Sequence, residues 1–484
     1  MTDRNFDVVI VGAGIAGIGG AWRIEKDHPG KSFAIIEARG DLGGTWDYFR
    51  YPGIRSDSDM FTLGYSFHPW SDGKIIADGP AIKSYVSDVA REYEIDKKIH
   101  FHTKLVRAEW NSTESLWRLV TMRNGEEVIY TCKMIFMCAG YYSYEKGYEP
   151  EFLGSQDFSG DILHPQKWPE DYDYAGKAVA IVGSGATAVT LAPAMAQKAA
   201  SVTMVQRSPT YMVSMARESA LTNGLNRVLP NAITFRFMRW LRILMQFCVY
   251  NLVRSVPSVS KRIFVRSVAK KLKREVDIET HFTPKYNPWE ERLCLVPDND
   301  FFNAVNAGTV SIITAPIERF TKTGMLLENG DSIDCDLIVT ATGLELQVAG
   351  GAEIVVDGEP IDLAETFNYL GMMNSRIPNF VSVFGYTNAS WTLRSDLVAE
   401  YFCKLMAYMD DNGFDSVTPK PDNPEMATRP FTDFSSGYFK RAEGVLPKSG
   451  PGRWNHSQNY LKDIQSLRYG SFDDCELEFA RKAR

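Results

Sequence analysis

Cysteine is sparse in this 484-residue chain and never occurs in a pattern that builds a disulfide or metal site. The 7 cysteines are odd in number and dispersed, with no CxxC pair and no cluster of cysteine with histidine. Disulfide frameworks and zinc sites need regular, close spacing of their ligands, so we expect reduced thiols and no bound metal. Such cysteine usage is typical of a cytoplasmic protein.

Excess positive charge and long apolar runs are also lacking. The formal net charge is -7, which argues against nucleic acid as a partner. No uncharged apolar stretch approaches the roughly 20 residues that a membrane-spanning helix needs. The opening residues, MTDRNFDVVIVGAG, enter a predicted strand at once and resemble no secretory signal, so we expect a cytoplasmic location.

What the sequence does contain is a glycine-rich turn between a strand and a helix. It lies in NFDVVIVGAGIAGIGGAWRI, and its candidate cofactor-binding residues are Gly12, Gly14, Ile15, Ala16 and Gly17. The first glycine permits the turn, the second lets a pyrophosphate approach the backbone, and the third brings the helix close to the strand. The next strand ends in Glu37, where a carboxylate can accept a hydrogen bond from a ribose 2′-OH.

The same pattern recurs in KAVAIVGSGATAVTLAPAMA, and its candidate residues are Gly183, Ser184, Gly185, Ala186 and Thr187. Its following strand ends in Gln206, Arg207 and Ser208 instead of an acidic residue. A carboxylate would repel a 2′-phosphate, whereas an arginine binds one, so the second site suits NADPH. The alternative is that Arg207 is only a solvated charge at the end of a strand.

A Gly-Gly turn follows Glu37 in GGTWDYFRYPG and makes FAD the better occupant of the first site, through Gly44, Thr45 and Trp46. Two further strands, MIFMCAGYY and CDLIVTATGLE, resemble the returns between the domains of two-dinucleotide flavoproteins; the second contains Thr342 and Gly343.

We therefore predict an α/β two-dinucleotide-binding flavoprotein made of two Rossmann-like domains. The FAD domain would comprise residues 1–149 and residues 336–484, the latter including a C-terminal segment. The NADPH domain would be inserted between them at 150–335, with a helical insertion at about 215–285.

No cysteine lies between the Gly-Gly turn and Cys132. Flavoproteins that reduce disulfides need a redox-active cysteine pair just after that turn. The sequence therefore disfavours that class and favours oxygen activation.

The stretch FSGDILHPQKWP carries Phe158, Gly160, His164, Trp168 and Pro169 at the spacing FxGxxxHxxxWP. This motif resembles the signature of Baeyer–Villiger monooxygenases, in which it lies at the junction of the FAD and NADP domains. The resemblance implies that the motif couples NADPH binding to the active site and that His164 is not a chemical base. Taken alone, a histidine in such a loop is equally well a satisfied structural residue.

The likeness extends over nearly the whole chain. FRYPGIRSDSDM, YNPWEERLCLVP, GYTNASWTL and YMDDNGFD resemble the ethionamide-activating subgroup of these enzymes. The resemblance implies an FAD- and NADPH-dependent monooxygenase that inserts an oxygen atom of O₂ into hydrophobic ketones, with oxidation of sulfur compounds as a second activity. Two alternatives stay open: a monooxygenase restricted to sulfur or nitrogen, and a lipid-surface or partner-binding protein with a vestigial flavin site.

The same resemblance implies the catalytic residues. Arg292 in NPWEERLCLVP would supply a fixed cation beside the oxygen-activating flavin, and Asp57 in YPGIRSDSD would orient it. Asp59 or Ser56 could instead be the true partner, and Arg292 could be a surface ion pair with Glu290 or Glu291. Because Glu291 stands where related enzymes often have lysine, 2′-phosphate recognition would depend more on Arg207.

Asn388 and Trp391, in GYTNASWTL, resemble positions of the family that lie near the flavin. We expect both in the wall of the cofactor or substrate site, although a tryptophan after a strand often serves only packing.

Residues 231–275 are strongly basic, with Glu275 as their only acidic residue. Helical spacing predicts one polar stripe, formed by Arg236, Arg239, Arg242 and Gln246, beside a wide apolar arc. Three interpretations stay open: a packed helical subdomain, the wall of a hydrophobic substrate channel, and peripheral association with anionic lipid.

The C-terminal part is expected to pack onto the FAD domain. Its last residues, SFDDCELEFARKAR, are expected to form a short helix.

Overall fold

The structure is a computed structural model that describes residues 4–291, 293–423, 425–432, 434, 436–473 and 475–482. Its strands are, in chain order, β1 (Asn5–Val11), β2 (Phe33–Ile36), β3 (Ile99–His100), β4 (Thr103–Asn111), β5 (Leu116–Arg123), β6 (Glu126–Met137), β7 (Tyr142–Gly147), β8 (Asp161–Leu163), β9 (Ala178–Val182), β10 (Ser201–Gln206), β11 (Met212–Met215), β12 (Cys294–Pro297), β13 (Val310–Thr314), β14 (Ile317–Thr321), β15 (Gly324–Leu327), β16 (Ser332–Asp334), β17 (Leu337–Thr340), β18 (Leu344–Leu346), β19 (Glu353–Val356), β20 (Glu359–Pro360), β21 (Asn368–Tyr369), β22 (Met373–Asn374), β23 (Phe380–Ser382), β24 (Ser416–Pro419) and β25 (Leu477–Ala480).

The α-helices alternate with these strands in the first half of the chain and cluster in the middle. They are α1 (Ile15–Asp27), α2 (Thr45–Tyr48), α3 (Met60–Leu63), α4 (Gly79–Glu92), α5 (Ala186–Met195), α6 (Ala220–Leu225), α7 (Asn231–Ser255), α8 (Pro257–Ala269), α9 (Ile278–Phe282), α10 (Asp300–Ala307), α11 (Trp391–Asn412), α12 (Gly437–Arg441) and α13 (Tyr460–Asp463).

The larger sheet has the strand order β20–β19–β4–β5–β6–β1–β2–β3, and β23 also pairs with β6. β1 lies between β2 and β6 and runs parallel to both. Its last four residues are buried, which is typical of a central parallel strand covered on both faces. The sheet combines strands from the first and the last third of the chain.

The second sheet is wholly parallel, with the order β13–β10–β9–β17–β8. β9 and β10 flank α5 in sequence and form the second strand–turn–helix–strand unit. β17 pairs with β9 at its centre, so this sheet extends to Thr340. The chain therefore leaves the sheet about five residues later than the expected boundary at 335, because the buried run Leu337–Thr340 completes the core of the sheet.

The chain crosses between the two sheets twice, and the two crossings are adjacent. β6 and β17 are the two predicted return strands. β7, which follows β6, pairs with β18, which follows β17. The connections predicted from two separate sequence segments therefore form one antiparallel ribbon.

The helical insertion lies between β11 and β12, which pair in parallel across it. Its helices α6 to α9 occupy the predicted region. The predicted polar stripe on α7 is divided: Arg236 is exposed, whereas Arg239 is buried, and its Nη1 donates to the carbonyl oxygens of Phe61 and Gly64 at 2.8 and 2.7 Å. Its Nη2 also pairs with Asp396 at 3.1 Å, so this arginine anchors the helix.

Among the described helices, none is both long enough and apolar enough to cross a membrane.

The C-terminal segment packs on the larger sheet's helices, but its end is not the predicted helix. Residues Leu477–Ala480 form β25, which pairs antiparallel with β24. Leu477 is buried in the core cluster that includes residues of α11. Pairing with β24 satisfies the backbone hydrogen bonds of this segment, whereas a short isolated helix is only marginally stable in water.

Candidate active site

The two strand–turn–helix units face a common cavity of about 510 Å³. Gly12, Gly14, Ile15 and Ala16 from the first unit and Ala186 and Thr187 from the second are among the residues that line it. Its size lies within the range of cofactor and ligand sites, and it lies where strands of open parallel sheets end, the usual binding position. The structure thus brings together residues that the sequence predicted for two different dinucleotides.

Two glycine turns form the floor of the cavity. A Cβ on Gly44 would lie 3.1 Å from Gly14 Cα, so the Gly-Gly turn packs directly on the first glycine-rich turn. Gly12 has a φ of +103°, and a Cβ there would lie 2.6 Å from the Cys138 carbonyl oxygen. Gly17 does not line the cavity; a Cβ there would lie 1.9 Å from the Gly12 carbonyl oxygen. This geometry explains why glycine is needed at the turn and at the contact of α1 with the turn, whereas the approach of a pyrophosphate at Gly14 stays a prediction.

The N-terminus of α1 opens into the cavity without a competing anion. Its N-cap is Gly14, no side chain caps it, and its first turn has no acidic residue. Helix N-termini of this kind bind phosphate through free N–H groups. Nearby, Arg39 lines the cavity and its buried Nη1 has no hydrogen-bond partner. These residues therefore fit the pyrophosphate of a dinucleotide such as FAD.

Glu37 is buried at the end of β2 and lines the cavity. Its Oε2 accepts from the Ala13 backbone N–H at 2.8 Å, and its Oε1 accepts from the Arg39 backbone N–H at 2.9 Å. Burial raises the pKa of this carboxyl, while the two backbone hydrogen bonds oppose that shift. Each oxygen keeps a second lone pair, so Glu37 retains the capacity to accept a ribose hydroxyl, and that contact stays a prediction.

Thr45 and Trp46 also line the cavity and begin α2. Thr45 hydrogen-bonds the side chain of Tyr144, whose pKa burial raises to about 12. The aromatic residues after the Gly-Gly turn therefore build a wall rather than a redox center.

The second glycine-rich turn has the same open helix end. α5 has Gly185 as its N-cap, no side-chain cap and no acidic residue in its first turn. A Cβ on Gly185 would meet nothing within 4 Å, whereas one on Gly183 would lie 2.4 Å from the Ala341 carbonyl oxygen. The backbone of Ser184 accepts a weak hydrogen bond from the Cys294 thiol at 3.9 Å. This turn fits a second pyrophosphate.

Gln206, the last residue of β10, and Arg207, which follows it, differ in exposure to solvent. Gln206 is buried, and its Nε2 donates to the carbonyl oxygen of His281 and to Thr314 Oγ1, each at 2.9 Å. Arg207 and Ser208 are exposed. Gln206 is thus held by protein groups, and Arg207 is the member of the pair that can reach a solvated phosphate.

Three candidates were open for the carboxylate or hydroxyl that would support the cation predicted at Arg292. Asp59 caps α3, because its Oδ1 accepts from the Phe61 and Thr62 backbone N–H groups. Ser56 Oγ donates to the Ser58 carbonyl oxygen at 2.8 Å. Asp57 is half-buried and lines the cavity. Among these three, Asp57 is the cavity-lining carboxylate; Arg292 itself lies outside the described residues.

A family model described as flavin-binding monooxygenase-like matches residues 7–357. The chain belongs to this family. FAD-containing monooxygenase EthA of Mycobacterium tuberculosis is 48% identical over 481 residues, covering 99% of this chain and 98% of that protein. Probable FAD-binding monooxygenase AlmA of Acinetobacter baylyi is 43% identical over 484 residues, covering 99% and 97%. The predicted family resemblance, including the ethionamide-activating subgroup, is confirmed.

Solved structures confirm the predicted fold of this flavin monooxygenase. An oxidized steroid monooxygenase bound to NADP matches with a TM-score of 0.79 at 22% identity, covering 99% of this chain and 100% of that chain. OTEMO in complex with FAD and NADP matches with a TM-score of 0.78 at 22% identity, with the same coverage. The two cofactors predicted from the sequence are those of these proteins: EthA contains FAD, the steroid monooxygenase is bound to NADP, and OTEMO is in complex with both.

In this flavin monooxygenase, the FxGxxxHxxxWP motif lies against both segments in which the chain crosses between the two sheets. His164 is buried, and a Cβ on Gly147 of β7 would lie 2.1 Å from its Cε1. His164 Nδ1 accepts from the Gln166 backbone N–H at 3.2 Å, so the ring proton lies on Nε2, which donates to the Gly343 carbonyl oxygen at 3.1 Å. This arrangement supports the linking role and leaves His164 no free nitrogen to act as a base.

The other residues of the FxGxxxHxxxWP motif pack near the same two crossings. A Cβ on Gly160 would lie 2.3 Å from the Asp336 carbonyl oxygen, which explains the glycine. Phe158 packs in the core beside β14 and β15, and Trp168 lies edge-on to Tyr174. Pro169 is exposed and starts the turn that follows. Thr342 Oγ1 donates to the Tyr148 carbonyl oxygen at 2.5 Å, so Thr342 and Gly343 tie the crossings together rather than lining the cavity.

We predict that His164→Gln destabilises the protein most above pH 6.5. Burial lowers the pKa of His164 below the ordinary value for histidine, with a smaller contribution from Lys167, while Glu149 and the Gly343 hydrogen bond oppose this shift. A depressed histidine pKa contributes stability above the unfolded pKa, and that stability is lost as pH falls through the folded pKa. The loss of the two hydrogen bonds should cost about 1–2 kcal/mol at neutral pH.

Thermal unfolding of both proteins from about pH 8 to about pH 5 measures this difference. The cost of His164→Gln should shrink as the pH falls. A cost that stays constant over this range would contradict the account.

Sequence reasoning missed three features of the wall. The buried Tyr51 hydroxyl hydrogen-bonds the side chain of Thr187, and burial raises the Tyr51 pKa. Arg55 pairs with Asp300 at 2.5 Å and donates to the Leu295 carbonyl oxygen at 3.3 Å. Both contacts join the segment after the Gly-Gly turn to the second sheet. The motif FRYPGIRSDSDM marked this segment, but only the fold could supply partners so distant in sequence.

The third feature is Tyr141, which forms an aromatic surface with Trp391, a residue already expected in the wall from the sequence. Trp391 stacks on Tyr141 with ring centroids 5.0 Å apart, and both line the cavity. Asn388, expected in the same wall, does not line the cavity, because its Nδ2 donates to the Gln458 carbonyl oxygen at 3.0 Å. Its neighbour Ala389 lines the wall instead.

Proposed function

We propose that this flavin monooxygenase uses FAD and NADPH to insert one oxygen atom of O₂ into hydrophobic ketones, which gives esters or lactones. Oxygenation of sulfur in thioethers and thiocarbonyls is the proposed second activity. The observation that carries the proposal is the single cavity in which the first glycine-rich turn, Asp57 and the N-terminal residues of α5 meet. One cavity of this kind can hold a flavin and receive a nicotinamide beside it.

The first unit would bind FAD. The free N–H groups of α1 and the Gly14–Gly44 floor would hold the pyrophosphate, and Glu37 would accept a ribose hydroxyl. When bound, FAD supplies the hydride acceptance and O₂ activation that no amino-acid side chain provides. The Tyr141–Trp391 surface would exclude water from the reacting face.

Arg292 and Asp57 are the proposed charge pair of the reaction. An arginine stays protonated in a dry site, and its planar fork reaches two oxygens, so it suits the negative charge that develops when a carbonyl is attacked. Asp57 would act as a positioning residue that orients this cation and partly balances its charge. The support for Asp57 is that its carboxylate lines the cavity, whereas Asp59 caps α3 and does not line it.

We predict that Arg207→Ala raises the KM for NADPH about 10- to 100-fold and leaves the KM for NADH nearly unchanged. The exposed guanidinium at the end of β10 would contact the 2′-phosphate, and a charge-assisted hydrogen bond contributes about 1.5–3 kcal/mol. Steady-state oxidation of both nicotinamides measures the effect. Arg319→Ala removes another exposed arginine of this domain and serves as the matched control. Equal changes for both nicotinamides would assign Arg207 a structural role.

Product mass spectrometry with NADPH, ¹⁸O₂ and a mixed panel of ketones and thioethers tests the proposed function. We expect ¹⁸O-labelled esters or lactones together with labelled sulfoxides. Labelled sulfoxides without any ester would identify a monooxygenase restricted to heteroatoms. NADPH oxidation that no compound of the panel stimulates would indicate a vestigial flavin site.

A further inference from the structure

The outward side of α7 and α8 is apolar and uncovered among the described residues. Trp240 is 46% exposed, Leu252 is 64% exposed and Ile263 is 59% exposed. The exposed apolar residues that share this side, here called the insertion face, are Ile233, Phe237, Trp240, Leu241, Leu244, Met245, Val249, Leu252, Val256, Val259 and Ile263. Soluble monomers rarely leave so many large apolar side chains together in water, so such a face marks a contact surface.

The orientation of α7 is fixed, so this exposure is not the result of a loosely placed helix. The opposite side of α7 buries Phe235, Met238 and Ile243. Arg239 on that side is held by two backbone carbonyls and by Asp396. Arg239 therefore points inward together with the buried apolar residues, and the residues of the insertion face point outward.

Positive charge surrounds the insertion face. Residues 231–275 contain 11 lysines and arginines and a single acidic residue, in a chain whose net charge is -7. Arg236 and Arg254 are exposed and lie about five helical turns apart, which places them along the same flank of α7. Arg262, Arg266 and Lys270 add exposed cations on α8.

We propose that the insertion face docks on the surface of an anionic lipid bilayer. Bulky apolar side chains flanked by arginine and lysine are what an interfacial helix needs to enter the headgroup region of an anionic membrane. A second copy of the chain fits less well. A two-fold dimer would bring the same patch of each copy together, and the flanking cations would face one another with Glu275 as the one acidic residue of the segment.

The docked helices would lie against the cavity wall. Ile243 packs with Tyr386, and Gln246 Nε2 donates to the Asn388 carbonyl oxygen at 3.0 Å. Tyr386 lines the cavity. A bilayer at this face would therefore supply apolar substrate close to the site. This consequence rests on the proposed function, whereas the docking itself does not.

Sedimentation with vesicles tests the docking on the full chain. Vesicles of an equal mixture of phosphatidylcholine and phosphatidylglycerol should bind the protein at low salt, and vesicles of phosphatidylcholine alone should bind it at least about tenfold less. The double variant Trp240→Glu with Leu244→Glu should lose binding more than about tenfold, because it places two carboxylates in the headgroup region. Leu153→Glu with Tyr469→Glu is the matched control, since both residues are 75% exposed elsewhere.

The contribution of the cations that surround the insertion face is tested separately. Arg262→Gln and Arg266→Gln should each lower the partition onto the mixed vesicles about fivefold, the factor that corresponds to about 1 kcal/mol per cation near an anionic surface. Screening by high salt should reduce the binding of the wild-type protein and shrink this difference.

Three outcomes would overturn the proposal. The first is no binding of the wild-type protein to the mixed vesicles at low salt. The second is equal loss of binding in the face variant and in the Leu153→Glu, Tyr469→Glu control. The third is a wild-type dimer that the face variant converts to monomers, with no difference in vesicle binding. Because no NADPH or substrate is present, a failed docking test leaves the proposed reaction untouched, and a failed reaction leaves the docking test valid.

Discussion

Replacing Gly17 by alanine is expected to yield a protein that holds no flavin. A Cβ at this position would lie 1.9 Å from the Gly12 carbonyl oxygen, a backbone atom that cannot move without opening the first glycine-rich turn. Forced overpacking usually costs 1–3 kcal/mol, and we expect more than about 3 kcal/mol here because the clash is with backbone. The turn that shifts is the one that forms the floor of the cavity.

The same region offers matched controls. Gly14→Ala places a Cβ 3.7 Å from the nearest backbone atom, an ordinary contact, so this variant should fold and bind FAD more weakly. Gly30→Ala places a Cβ with nothing within 4 Å and should behave as the wild type. The series therefore separates packing of α1 on β1 from access of a pyrophosphate to the backbone.

Visible flavin absorbance per protein and the thermal unfolding midpoint measure the series. We expect the order Gly30→Ala, Gly14→Ala, Gly17→Ala in both quantities, with the last variant colourless. A yellow, stable Gly17→Ala protein would show that α1 can move away from β1, and the proposed cradle would then be wrong.

The parts of the fold that repeat a local pattern could be predicted from the sequence. The turns at Gly12 and Gly183 carry their glycines for reasons that act within a few residues: a positive φ, and a carbonyl too close for a Cβ. The positions of Glu37 and Arg207 in the fold could be predicted because each directly follows the strand that comes after its turn. Local chemistry was sufficient for these residues.

The parts that depend on distant partners could not be predicted. Helical spacing puts Arg239 on one stripe with Arg236 and Arg242, but it cannot say which side of α7 is buried. That side is decided by carbonyls at the end of α3 and by Asp396, 157 residues further along the chain. The predicted polar stripe is therefore in part an internal anchor, because Arg239 is buried while Arg236 is exposed.

The choice among acidic residues near Asp57 shows the same limit. The spacing of FRYPGIRSDSDM gives Asp57 and Asp59 similar surroundings in sequence. The fold distinguishes them, because the N-terminus of the four-residue helix α3 takes Asp59 as a cap, whereas Asp57 lines the cavity. The choice of Asp57 as the positioning residue stays a proposal.

Replacing Arg292 by alanine is expected to separate NADPH consumption from oxygen transfer. The resemblance and the surrounding motif make Arg292 the proposed fixed cation of the site. Removal of one preorganised group that stabilises developing negative charge commonly costs about 100- to 1,000-fold in rate. Flavin reduction by NADPH needs no such cation, so it should continue, and the oxygen consumed should appear as hydrogen peroxide.

The measurement is the yield of oxygenated product and of hydrogen peroxide for each NADPH oxidised. We expect the product yield of Arg292→Ala to fall about 100-fold or more, while the rate of flavin reduction changes by less than about threefold. Arg292→Lys should retain part of the yield at low pH and lose it as the pH rises, because lysine can give up its proton in a dry site. Arg118→Ala, which removes an exposed arginine paired with Glu109 on the larger sheet, is the control.

Asp57 provides the decisive companion variant. If Asp57 orients Arg292, then Asp57→Ala should lower the product yield by itself and should add little in the Arg292→Ala background, because the two changes remove the same interaction. Fully additive losses would show that Asp57 acts on something other than Arg292. An unchanged product yield in Arg292→Ala would remove the fixed cation from the mechanism, and the search for the group that stabilises the attacked carbonyl would then pass to the other residues that line the cavity.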